Sequence, residues 1–126
     1  MKKINTEISV GEIIDKITIL EIKKKMFSRN KDLIQINKEH KILVSTLKKN
    51  IKIDKKIKKL WRDLFQTNLK IWKMENFKRE SQKILEKLTQ TAKDVYRSND
   101  DRANIKLKLN KITGSNLREV KKYSKY

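Results

Sequence analysis

The chain contains no proline, and its only two glycines are Gly11 and Gly114. Proline and glycine are the residues that most readily end a helix. The long stretch between the glycines therefore carries no strong breaker. Within it, apolar residues recur at spacings of three and four rather than alternating, which is the pattern of amphipathic helices. The expectation is an all-α fold, a small antiparallel bundle of about four helices. A length of 126 residues suits one domain. Residues 1–114 would form the bundle and residues 115–126 a polar C-terminal tail.

Ser9 and Glu12 form a capping box ahead of the first apolar run, so helix one is expected from Val10 to about Phe27. Ser28 to Asn30 form the next break. Helix two follows from about Lys31 to Lys49, with Leu33, Ile36, Leu43 and Leu47 on one face. Asp54 can cap helix three, which runs to about Glu80 before a weak interruption at residues 81–83. Helix four spans about Ile84 to Thr113. Ser98 with Asp101 makes a second capping box, which leaves a break near Ser98 open. Gly114 supplies the stop.

Helix one is apolar on two sides. Val10, Ile13, Ile14, Ile17 and Leu20 share one face, and Ile19, Ile22 and Met26 lie roughly opposite. Such a helix is sandwiched between others. It belongs at the centre of the bundle, which is either self-contained or completed by a second copy.

Polar residues interrupt these stripes. Glu21 falls among the inward positions of helix one, and Asp15 and Lys16 flank them. On helix three, Asn68, Glu75 and Arg79 follow the stripe of Ile57, Leu60, Trp61, Leu64, Ile71 and Trp72. On helix four, Asn99, Arg102, Lys106 and Asn110 follow that of Ile84, Leu88, Val95 and Leu109. Buried charges are costly unless paired. The inward acids and bases are thus expected to meet as a compensated polar network at one end of the bundle. Such a network can simply fix helix register, or it can hold a ligand. Because bases exceed acids and guanidinium forks match carboxylate or phosphate, the ligand class is an anion or a partner's acidic group. His40, Trp61 and Trp72 follow apolar stripes and read as packing residues, Tyr96 as a boundary residue. Tyr123 and Tyr126 could close over a pocket.

The formal net charge is +19. Lys outnumbers Arg 28 to 6, and Ile and Asn are abundant where Ala is scarce. A/T-rich codons explain part of this bias. They do not fully explain the excess over acids, since Asp and Glu codons tolerate A and T too. The densest block is Lys48–Arg62, with Asp54 as its one acid. An alternative reading is therefore a nucleic-acid-associated protein using Lys48, Lys49, Lys52, Lys55, Lys56, Lys58 and Lys59. Against it, the patch is Lys rather than Arg forks, and its neighbour Trp61 lies in phase with the apolar stripe.

The run from Ile8 through Ser9, Gly11, Glu12, Asp15, Lys16 and Glu21 to Lys23 resembles the opening of the bacterial family catalogued as domain of unknown function 6165. Asn68 to Glu80, with Trp72 and Glu75, resembles its middle. Val95-Tyr96, Asn99-Asp100, Arg102-Ala103, Ile105-Lys106, Asn110 and Gly114-Ser115 resemble its later signature, and Glu119, Lys121 and Tyr123 its tail. Asn76, Leu107, Lys108 and Val120 depart from the family pattern, and Lys48–Lys59 has no counterpart in it. The resemblance implies no activity. It singles out Asp15, Lys16, Glu21, Asn68, Glu75, Asn99, Asp100, Arg102, Lys106 and Asn110 as the candidate ligand-binding set, much of which the helical stripes reach independently.

Several classes are set aside. Without Cys there is no thiolate nucleophile, disulfide or cysteine-built zinc site, and the single His cannot serve a His-rich metal centre. No metal, cofactor or catalytic residue is expected. No apolar run approaches a membrane span, and the opening MKKINTEISVGE lacks an apolar leader core, so the cytoplasm is the expected setting. The leading expectation is a small helical binding or interaction module, able to self-associate, whose polar cluster takes an anionic ligand or acidic partner group. The rivals are the nucleic-acid-associated protein and a small all-α enzyme clamping an anionic metabolite with Arg and Lys.

Overall fold

The computed structural model describes residues 2–80 and 85–120, with the side chains of residues 85–88 left aside. It contains four helices: α1 (Val10–Met26), α2 (Asn30–Asn50), α3 (Lys55–Glu80) and α4 (Leu85–Thr113). No strand occurs among the described residues. The expected interruption at 81–83, the stripe residues Ile84 and Leu88, and the tail residues Lys121, Tyr123 and Tyr126 lie outside what is described.

Local chemistry sets the boundaries. The Ser9 hydroxyl accepts the Glu12 amide at 3.2 Å, and the Ser9 carbonyl accepts that of Ile13. Asp54 Oδ1 accepts the Ile57 amide at 2.9 Å, opening α3. At the end of α4, Gly114 has φ +68°. Its amide bonds the Lys111 carbonyl and the Ser115 amide bonds that of Asn110, the paired closure a left-handed glycine permits.

Helix α4 runs unbroken through Ser98, which corrects the expectation that a second capping box could divide it. Ser98 is buried at 1% exposure, so its side chain is packed in the bundle rather than free to cap. Tyr96, expected at a boundary, is exposed, and Arg79, expected on the inward stripe, is exposed as well.

Helix α1 is the hub. It packs against all three other helices, while α3 and α4 pack on each other and, among the described residues, α2 lies mainly against α1. This is the arrangement that two-sided apolarity requires. On one side Ile13, Ile14 and Ile17 join Leu47, Ile57, Leu64 and Leu109 in the core. Each such side chain contributes about 1.5–3 kcal/mol through burial. On the other side Ile22 is also fully buried. Helices α1 and α4 run antiparallel, because Asp15 meets Arg102, Glu12 meets Lys106 and Gly11 meets Asn110. The outer face of α2 leaves Ile34 and Ile42 exposed. No helix among the described residues is long and apolar enough to cross a membrane.

Candidate functional site

The polar residues of α1 and α4 meet along their seam, beginning where both helices end. Val10 donates its amide to Ser115 Oγ at 2.9 Å, and Gly11 donates to Asn110 Oδ1 at 2.6 Å. These bonds, with those to Ser9, satisfy the amides that a helix start leaves free. The N-terminus of α1 is thus already occupied by the C-terminal turn of α4. Gly11 permits the approach: a Cβ there would stand 2.5 Å from the Lys106 carbonyl oxygen.

One turn further, Asp15 is buried at 1% exposure. Its Oδ1 accepts from Arg102 Nε at 2.8 Å and from Asn68 Nδ2 at 2.8 Å, while Oδ2 accepts from Arg102 Nη2. Asn68 also donates to Thr18 Oγ1 at 2.9 Å, and Thr18 donates to the Asp15 carbonyl. Burial pushes the Asp15 carboxyl up. The Arg102 and Asn68 hydrogen bonds and the Arg102 and Lys106 charges outweigh it, leaving the group below its ordinary value. The hydrogen bond to Asp15 is the main cause that holds the Arg102 guanidinium above its ordinary value.

Lys106 continues the seam. Its ammonium lies 3.1 Å from Glu12, 3.2 Å from Glu119 and 4.0 Å from Asp15. Burial opposes its charge, but the hydrogen bond it donates to Glu12, the Asp15 and Glu12 charges and its hydrogen bond to Glu119 raise it overall. It lines a cavity of about 220 Å³ with Ser9, Asn104 and Asn110. Because carboxylates flank the ammonium there, that cavity holds little attraction for a further anion.

A second cavity, of about 310 Å³, opens between α1, α3 and α4. Its walls are Ile19, Ile22, Ile71 and Trp72, and its polar rim is Asn68, Glu75, Asn76, Arg79 and Arg102. Arg102 thus holds Asp15 from one side and borders this groove on the other, with 28% of its side chain exposed. The grip on Asp15 engages two of the five N–H groups of a guanidinium. Glu75 pairs with Lys78 at 3.6 Å, and Arg79 makes no ion pair among the described residues.

Of the ten candidate residues, the network gathers Asp15, Asn68, Arg102, Lys106 and Asn110. Glu21 stands apart, because Trp61 Nε1 donates to it at 2.8 Å and claims it for the α1–α3 contact. Lys16 points to solvent, and Asn99 and Asp100 are half-buried but make none of the network's hydrogen bonds. Glu75 belongs to the groove rather than to the network. Thr18, Glu12, Gly11, Ser115 and Glu119 complete the seam without having stood in the candidate set. Asp15 sits deeper than its expected flanking position. A signal for this was present: Asp15, Thr18, Ile19 and Ile22 share the second apolar stripe of α1, at the i, i+3, i+4, i+7 spacing. The seven candidate nucleic-acid lysines, Lys48, Lys49, Lys52, Lys55, Lys56, Lys58 and Lys59, are all exposed. No group of His, Cys, Asp or Glu that could hold a metal ion occurs among the described residues.

No family model, curated protein or solved structure matches this chain.

Proposed function

We propose that this protein is a small helical binding module, without catalysis of its own, that takes an anionic group carrying an apolar body in the groove between α1, α3 and α4. The observation that carries the reading is Arg102: the buried Asp15 fixes its orientation, and its free edge borders the groove beside Arg79. A guanidinium held by a buried carboxylate is preorganised for a second anion. Arg79 supplies charge that no ion pair among the described residues takes up. Ile19, Ile22, Ile71 and Trp72 offer apolar surface to the rest of the ligand. On this reading the chain works in the cytoplasm. The kinship with domain of unknown function 6165 is part of the proposal. Ser9, Gly11, Glu12, Asp15, Arg102, Lys106, Asn110 and Ser115 carry the resemblance and also meet along one seam, which gives them a physical reason to occur together.

The test is titration with octanoate, followed by the Trp72 indole resonance, with octylamine as the charge-reversed control. Octanoate should shift Trp72 and octylamine should not. Arg79→Ala should weaken octanoate about tenfold or more, the scale of one lost charge-assisted hydrogen bond. Equal responses to both amphiphiles, or none to octanoate, would sink the reading.

A further inference from the structure

Helix α3 turns an unusual face outward. Lys55, Lys59, Arg62, Gln66, Lys70 and Lys73 recur at spacings of four and three, and every one of them is exposed. They form one straight stripe along the helix. Eighteen residue rises from Lys55 to Lys73 make it about 27 Å long. Asp63 is the only acid between Lys55 and Lys73, and it is held by Lys59 at 3.0 Å. At the start of the stripe, the exposed Lys48, Lys49 and Lys52 bring further charge from the end of α2 and the connection after it.

The placement works against the fold. A helix N-terminus favours negative charge, yet beyond the capping Asp54 the first turn of α3 contains no acid. Lys55, Lys56 and Lys58 stand there instead. Each such cation at the helix start costs a little stability, and codon drift toward A and T still allows Asp and Glu. A band that begins where the helix disfavours cations and runs longer than any small anion fits an extended polyanion. The stripe carries no exposed aromatic ring: Trp61, Phe65 and Trp72 are half-buried against the bundle. Bases of a single strand would find nothing to stack on. Lysine meets phosphate as a point charge and reads no base edge.

We propose that the outer face of α3, from Lys55 to Lys73, is a track for the phosphate backbone of a nucleic-acid duplex, bound without sequence preference. The track is independent of the groove between α1, α3 and α4, and stands or falls separately from it.

The test is fluorescence anisotropy with a labelled mixed-sequence DNA duplex of about 20 base pairs, over about 50 to 200 mM salt. Two variants of equal charge are compared. One converts Lys55, Lys59, Arg62, Lys70 and Lys73 to Gln. The other converts the exposed Lys2, Lys3, Lys38, Lys93 and Lys111, which lie off the track, to Gln. Five phosphate contacts give a slope of log K against log salt of about −4.5. The track variant should lose about a hundredfold in affinity at about 100 mM salt and most of that slope, and the control variant no more than about threefold. The single Arg62→Glu variant, on an exposed helical site, should still reduce affinity about tenfold with the helical circular dichroism unchanged. Equal losses in both five-residue variants would show general charge attraction and overturn the proposal. So would a wild type that ignores the duplex but binds phosphatidylserine vesicles, since the surface would then serve a membrane.

Discussion

Asn110 Oδ1 receives the Gly11 amide at 2.6 Å, and a Cβ on residue 11 would stand 2.8 Å from that same oxygen and 2.5 Å from the Lys106 carbonyl. The contact joins the first turn of α1 to the last turn of α4, and backbone cannot yield as a flexible side chain can. Gly11→Ala should therefore destabilise the protein by about 2–3 kcal/mol, the scale of overpacking, despite alanine's better helix propensity. Gly114→Ala meets open space and only the left-handed conformation, so it should cost about 1 kcal/mol. Urea unfolding of both variants checks this, and an equal or smaller loss at Gly11 would refute the close-approach argument.

The Asp15–Arg102 pair should behave unlike a surface pair. Asp15 is 1% exposed, so removing Arg102 leaves a buried carboxylate with Asn68 and a more distant Lys106. A broken buried pair costs about 3–5 kcal/mol. In a double-mutant cycle of Asp15→Leu and Arg102→Met, the double variant should be markedly more stable than the sum of the singles suggests. The coupling should reach about 2 kcal/mol. The same cycle at the exposed Lys59–Asp63 pair should give no more than about 0.5 kcal/mol. Matching couplings would mean that the burial of Asp15 carries no energetic weight.

How far this arrangement could be read beforehand depends on which contact is asked about. The cap of α1 at Ser9, the cap of α3 at Asp54 and the stop at Gly114 are local. Each is legible because its partners lie within a few residues. The centrality of α1 was legible from its two stripes. The inward direction of Glu21 was legible too, but not that Trp61, on another helix, would claim it. Gly11 shows the limit most plainly, since its partner lies 99 positions along the chain. The Ser98 box misled for a related reason: a serine followed three residues later by an acid caps a helix start only if the chain must begin one there. Here nothing breaks the helix, and packing buries the hydroxyl.

Acid stability should carry the mark of Asp15. Its folded carboxyl titrates below the ordinary value of 3.8, so in that range the unfolded chain binds the proton more readily. The stabilisation is complete above 3.8 and is lost as pH falls through the lower folded value. Asp15→Asn cannot titrate, so its stability loss below pH 3.8 should be shallower than that of the wild type. Denaturation midpoints from pH 5 to about 2 provide the comparison. Parallel curves would remove Asp15 as a source of acid sensitivity.

A second acid-sensitive step should come from His40, the only histidine in the chain. Its Nδ1 lies 3.0 Å from the Lys24 ammonium. An ammonium can only donate, so Nδ1 accepts and the ring proton sits on Nε2, which is buried without a partner among the described residues. Burial disfavours a second proton and so does the Lys24 charge, while Glu21 opposes both incompletely. The imidazole is therefore held below its ordinary value of 6.5. The unfolded chain takes up the proton first, so stability is full above 6.5 and declines as pH falls through the folded value. Proton NMR titration of the single imidazole should show a midpoint below 6.5, moving upward in Lys24→Ala as the repelling charge is removed. His40→Gln keeps an acceptor for Lys24 and should abolish the step. A wild-type midpoint at or above 6.5, or one that Lys24→Ala leaves in place, would contradict the assigned tautomer and its cause.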